Sequence, residues 1–120
     1  MKTVILIDDE PWALESLYHV FRWEENGFQV IGRYTDSGKG WTAIVNDTPE
    51  VVFIDIRMPV MSGLEVAAKA QCLRCPPLFI IVSGYDLFQY AQQALRLGVF
   101  DYCIKPVERA TAQELLAKLS

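Results

Sequence analysis

The sequence predicts an α/β domain: a doubly wound sheet of five parallel strands with five helices packed on its two faces. Three observations carry that expectation. Short uninterrupted apolar runs, Val51-Val52-Phe53-Ile54 and Leu78-Phe79-Ile80-Ile81-Val82, read as strands covered on both sides. Segments with apolar residues at helical spacing alternate with such runs, joined by a few residues each. Two apolar runs end on carboxylates: Thr3-Val4-Ile5-Leu6-Ile7 on Asp8-Asp9, and the Val51 run on Asp55. Parallel strands with right-handed crossovers bring all their carboxyl ends to one edge, where the loops form a crevice for ligands.

Each element has its own local signal. Thr3 to Ile7 is the first strand, and Pro11 suits the first turn of a helix on which Leu14, Leu17, Tyr18 and Phe21 recur. That helix is expected to end near Asn26-Gly27. Phe28 to Tyr34 forms a strand containing Val30 and Ile31, and Ser37 is placed to cap a helix carrying Trp41, Ile44 and Val45. Thr48-Pro49 stops that helix before the Asp55 strand. Ser62 and Glu65 then make an S-x-x-E capping box for a helix over Leu64 to Gln71. After the Leu78 to Val82 strand and Ser83-Gly84, Asp86 with Gln89 caps a helix with the stripe Tyr90, Ala91, Ala94 and Leu95, closed by Gly98. Asp101 to Ile104 is the fifth strand, and Ala112, Leu115, Leu116 and Leu119 mark the fifth helix.

Composition narrows the function. With 120 residues, 52% of them hydrophobic, the chain is long enough and apolar enough for one packed domain. Its net charge of -4 and lack of any basic run argue against direct nucleic-acid binding. The apolar stretch Val4 to Ile7 is too short for a signal peptide or a membrane span and runs into two aspartates, so a cytoplasmic protein without membrane contact is expected. Three cysteines, an odd number, argue against a disulfide framework. Cys72 and Cys75 form a C-x-x-C, but in a helix-to-strand loop before Pro76-Pro77, where no helix N-terminus would stabilise a thiolate. For zinc the motif supplies two ligands of four, with only Cys103 and His19 left over. The pair therefore reads as ordinary reduced cysteines. Trp12 and Trp23 fit either a core or an interface.

The residues just beyond the strand ends are Asp8, Asp9, Asp55, Ser83 and Lys105. Two like charges ~4 Å apart repel by about 4 kcal/mol at an effective dielectric near 20, and one lysine cannot offset three carboxylates. A small divalent cation removes the surplus, and an all-oxygen site is what Mg²⁺ prefers. A carboxylate beside such a cation, with an ammonium and a hydroxyl at hand, can attack a phosphoryl donor and hold an aspartyl phosphate.

In combination, Leu6-Ile7-Asp8-Asp9-Glu10-Pro11, Ile54-Asp55-Ile56-Arg57-Met58-Pro59 with Gly63, Val82-Ser83-Gly84 and Tyr102-Cys103-Ile104-Lys105-Pro106 resemble the signature of bacterial response-regulator receiver domains. The resemblance covers essentially the whole chain and implies a flavodoxin-like (βα)5 fold. By position, it implies that Asp55 accepts a phosphoryl group from the phosphohistidine of a sensor histidine kinase. Asp9, Asp55 and the backbone carbonyl of Arg57 would hold Mg²⁺ directly, with Asp8 acting largely through water. Lys105 would pair with phosphoryl oxygens, its bond to Pro106 cis, and Ser83 would hydrogen-bond one of them. Ser83 and Tyr102 would form the switch: Ser83 moves toward the phosphate, Tyr102 turns inward, and the surface of the fourth helix, fifth strand and fifth helix is reshaped for partners, commonly as a homodimer. Tyr102 equally reads as a half-buried strand aromatic.

Ser83-Gly84-Tyr85-Asp86, followed by Phe88, Tyr90-Ala91, Ala94-Leu95 and Leu97-Gly98, is similar to receivers fused to AraC-type helix-turn-helix domains. That similarity implies a receiver at residues 1–120, a DNA-binding output domain not present in this chain, and transcription control as the role of the full protein. The expected chemistry is confined to the domain's own phosphotransfer and dephosphorylation, not turnover of a substrate. Cys103 stands where an aliphatic residue is commoner. Arg57 and Tyr85 are expected to flank the phosphoryl group and obstruct attacking water. A haloacid-dehalogenase-like phosphatase would need a second Asp at position 57, where Arg stands. Two rival functions stay open on the residues alone: a receiver-like interaction module that works without phosphorylation, and a redox C-x-x-C module.

Overall fold

The computed structural model of the chain describes residues 1–84 and 88–120. Ten elements alternate: β1 (Lys2–Ile7), α1 (Pro11–Val20), β2 (Phe28–Tyr34), α2 (Ser37–Asp47), β3 (Val51–Asp55), α3 (Gly63–Ala70), β4 (Leu78–Ser83), α4 (Phe88–Arg96), β5 (Asp101–Ile104) and α5 (Arg109–Leu119). The strands form one sheet in the order β2-β1-β3-β4-β5, every neighbouring pair parallel. The strand order reverses between β1 and β3, so the crevice of this doubly wound sheet opens at the ends that carry Asp8 and Asp55.

Period-two alternation sorts the strand side chains into two cores. Val4, Leu6, Val51, Phe53, Ile80 and Val82 pack with Leu14 and Leu17 of α1 and Leu115 and Leu116 of α5. Ile5, Ile7, Val52, Ile54, Phe79 and Ile81 face Ile44 of α2, Val66 and Ala67 of α3 and Ala94 of α4. Both faces being covered explains the unbroken apolar runs of β1, β3 and β4. The edge strand β2 has a bulge: Val4 pairs with Val30 but Ile5 with Gly32, which leaves Ile31 extra and partly exposed.

Three expectations are corrected. The first helix ends at Val20, and Phe21 is already extended; a single 3-10 turn, Glu24–Asn26, then leads into Gly27 at φ +84°. Phe21 is buried without being helical because it stacks on Trp23, and both rings meet Phe53 edge-on. The cap of α2 is Asp36, whose carboxylate accepts from the Lys39 amide, and Ser37 is the first helical residue. On α4, Leu95 is 75% exposed while Ala94 is fully buried, so the inward stripe follows Tyr90, Ala94 and Leu97. The Ser62–Glu65 capping box of α3 forms with both of its hydrogen bonds. The cap at Asp86 lies outside the described residues.

The tryptophans separate cleanly. Trp23 is a core residue whose indole N–H donates to the Tyr18 carbonyl, whereas Trp12 is 66% exposed and donates to Glu10 Oε2. Among the described residues, no helix is long and apolar enough to cross a membrane.

Candidate functional site

The parallel sheet delivers the predicted side chains to one edge. Asp8 and Asp9 follow β1, Asp55 ends β3, Ser83 ends β4 and Lys105 follows β5. Asp8, Asp55 and Ser83 are buried, at 2%, 7% and 0% exposure, and Asp9 is half-buried. Each of Asp8, Asp9 and Asp55 places a carboxylate oxygen within 4.8 Å of the others. Tyr102 sits two residues before the end of β5, partly buried against the α2-α3-α4 core. Arg57 is exposed in the loop after β3, and Tyr85 lies outside the described residues.

Lys105 is the cation of this cluster. Its ammonium donates to Asp8 Oδ2 at 2.6 Å and lies 3.4 Å from Asp55 Oδ2. The resemblance points Lys105 at a phosphoryl group; in this structure it is held chiefly by Asp8. The peptide bond from Lys105 to Pro106 is cis. The Lys105 amide donates to the Ser83 carbonyl at 2.8 Å, which locks the ends of β4 and β5 together. Asp8 Oδ1 accepts from the Glu10 amide and Asp55 Oδ1 from the Ile56 amide, so each carboxylate is oriented by a backbone N–H two residues or one residue on.

The electrostatics follow from this packing. Burial pushes the Asp55 carboxyl above the ordinary aspartate range; the Asp8 charge adds to the rise, while the Lys105 charge and the Ile56 amide oppose it. Burial alone would lower the Lys105 ammonium, but the hydrogen bond and charge of Asp8, with Asp55, outweigh it and raise Lys105 above its usual value. One ammonium offsets one of three carboxylates. The oxygen-only donor set Asp8, Asp9 and Asp55 fits a hard divalent cation of the Mg²⁺ type, which would neutralise the remainder.

The loop between β3 and α3 is built tightly. The Gly63 amide donates to the Ile56 carbonyl at 2.9 Å, and a Cβ on Gly63 would stand 2.2 Å from the Asp55 carbonyl oxygen. Only glycine allows so close an approach. At Val60, φ is +72° and the Met61 amide donates across it to the Pro59 carbonyl at 2.8 Å, the hydrogen bond of a γ-turn in its rarer, strained form. The Ser37 hydroxyl, predicted as a helix cap, donates instead to the Pro59 carbonyl and ties α2 to this loop. Sequence reasoning missed that tie, because a serine beside a helix start carries the same signal whichever way its hydroxyl turns. A groove of about 570 Å³ runs from Asp8, Asp55 and Lys105 past Trp12, Leu17 and Val107.

Comparisons with known proteins match the chain over nearly its whole length. The family model described as "response regulator receiver domain" matches residues 4–119. An uncharacterized transcriptional regulatory protein, YesN of Bacillus subtilis, is 32% identical over 99% of this chain and 33% of its own length. The transcriptional regulatory protein BtsR of Escherichia coli K12 is 34% identical over 99% of this chain and 48% of its own length. The chain thus spans a third to a half of these curated relatives. Among solved structures, the REC domain of AraT, a response regulator from Geobacillus stearothermophilus, superposes with a TM-score of 0.90 at 32% identity, covering 98% of this chain and 92% of that one.

Proposed function

This chain belongs to the response regulator receiver domain family, and we propose that within it Asp55 is the phosphoacceptor of a phosphorylation-dependent switch. The observation that carries this reading is the convergence of Asp8, Asp9 and Asp55 within 4.8 Å, with the Lys105 ammonium against them. A carboxylate oxygen of Asp55 attacks the phosphorus of a phosphohistidine on a sensor histidine kinase. The P–O bond forms as the P–N bond breaks, and the histidine nitrogen leaves with the electron pair. Asp9, Asp55 and the Arg57 carbonyl, with Asp8 through water, would hold Mg²⁺, which supplies charge neutralisation for the entering phosphoryl oxygens.

The chain's own residues do the rest. Lys105, already desolvated and charged, exchanges part of its contact with Asp8 for a phosphoryl oxygen, and the Ser83 hydroxyl donates to another. A phosphoryl group adds a charge of about -1.5 to -2 at the end of β3. Ser83 shifts toward it, Tyr102 turns inward, and the α4-β5-α5 surface changes. That surface is the proposed homodimer interface, consistent with Leu95 and Ile104 standing exposed on it at 75% and 39%. In the full protein the switch would act on transcription through a DNA-binding output domain outside these 120 residues. The domain turns over no substrate beyond hydrolysis of its own aspartyl phosphate, which Arg57 and Tyr85 would slow.

Intact mass after incubation with acetyl phosphate and Mg²⁺, beside Asp55→Asn, tests the proposal. The expected result is one added phosphoryl group, absent in the variant. A phosphoryl group retained in Asp55→Asn overturns the assignment of Asp55. No added mass from acetyl phosphate or from phosphohistidine kinases supports a phosphorylation-independent interaction module instead.

A further inference from the structure

The seven residues that join α3 to β4 contain two cysteines for which the acid pocket has no use. The connection is pinned at both ends: the Leu73 amide donates to the Ala70 carbonyl at 3.0 Å with its side chain against the core, and the Leu78 amide donates to the Glu50 carbonyl at 2.9 Å. Between these anchors the chain bends at Leu73, Arg74 and Cys75. Cys72 stands just before that bend and Cys75, three positions on, is its last residue, and both are exposed. A disulfide needs its Cα atoms within about 7 Å; four residues in extended form span roughly 10 Å between first and last Cα, so a bend between the two cysteines is what closure requires.

We propose that Cys72 and Cys75 are a peroxide-oxidisable dithiol that closes into an intramolecular disulfide, a modification site at the end of the sheet opposite the acid pocket. One thiol gives up its proton and its thiolate attacks an oxygen of the hydroperoxide; the O–O bond breaks, the leaving hydroxide (or alkoxide) takes up that proton, and a sulfenic acid and one water (or alcohol) result. The second thiolate then attacks the sulfenic sulfur, the S–O bond breaks, and a second water leaves. Two thiols lose two hydrogens to one peroxide, and two electrons pass from sulfur to oxygen. The third cysteine cannot compete: Cys103 is buried in β5, where desolvation, with Asp101 nearby, pushes its thiol up to about 11. Because the partner thiol is held on the same turn, closure is intramolecular and outruns pairing between chains.

The turn leaves the pocket untouched, so the modification and phosphorylation of Asp55 are separable. The test is intact mass and non-reducing electrophoresis of the chain after hydrogen peroxide, for wild type, Cys72→Ser and Cys75→Ser, with peptide mapping of alkylated thiols. The wild type is expected to lose the mass of two hydrogens, stay monomeric, keep Cys103 alkylatable after unfolding, and recover its mass with dithiothreitol. Each single variant is expected to gain oxygen or form linked dimers instead. Wild type that gains oxygen or dimerises like the variants, or a disulfide mapped to Cys103, overturns the proposal.

Discussion

At Asp55 the requirements of fold and of chemistry pull in opposite directions. The carboxylate is buried beside Asp8, and its proton is held more tightly than in the unfolded chain. A group with a raised folded value favours the native state fully below the unfolded carboxyl range, about pH 4, and loses that contribution as pH rises through the folded value. At neutral pH, therefore, the Asp55 charge opposes folding when no divalent cation is present. Asp55→Asn should raise metal-free stability by about 1 kcal/mol, roughly 4 °C in Tm. The gain over wild type should vanish on acidification below about pH 4; thermal melts across pH measure the difference directly. Val60 illustrates a second residue-scale tension. A β-branched side chain at φ +72° carries strain of about 1–3 kcal/mol, so Val60→Gly should stabilise by about 1 kcal/mol after the added entropy of unfolded glycine. Urea midpoints check it, and an unchanged or lower midpoint counts against strain there.

Elements were legible wherever one physical signal stood alone. β3 and β4 are apolar on both faces because helices cover both, and their runs could be read directly. The capping box at Ser62 and the terminating Gly98, at φ +74°, were equally plain. The end of α1 was not, because helical spacing records burial and Phe21 is buried by stacking on Trp23 rather than by lying on a helix. Leu95 entered the predicted stripe by its neighbours' company, although the helix turns it outward. In the site, the sequence marked Asp8, Asp9, Asp55, Ser83 and Lys105, but not that Lys105 would rest on Asp8, since which carboxylate an ammonium prefers depends on depth and angle. The turn into α3 yields a sharp prediction. Gly63→Ala drives a Cβ into the Asp55 backbone carbonyl, which cannot swing aside as a flexible side chain would, and should cost about 2 kcal/mol of stability. The displaced end of β3 should also slow phosphorylation by acetyl phosphate at least about tenfold, equivalent to about 1.4 kcal/mol of barrier. Unfolding curves and single-turnover mass measurements read the two effects separately.

On the scale of the whole domain, Lys105 bridges β5 to β1 and β3 across the sheet edge. Removing its charge leaves three carboxylates facing one another, and Lys105→Met should destabilise the metal-free protein by about 2 kcal/mol. The folded Lys105 value is raised, so its contribution is present below about pH 10.5 and fades as pH climbs through that folded value. Wild type and variant should therefore converge in strong alkali. Added Mg²⁺ should restore more stability to Lys105→Met than it adds to wild type, read as the shift in Tm on titration. An equal shift in the two proteins means that the lysine and the cation do not share the same field.

The Lys2 ammonium donates to the Leu119 carbonyl at 2.6 Å, clasping the start of β1 to the end of α5. The two ends of this fold thus meet at a single point on the side away from the acid pocket. Such a domain behaves as a cassette: it can be spliced into a host chain through one doorway, or its ends joined and new ones opened at Arg74, without threading any segment across the core.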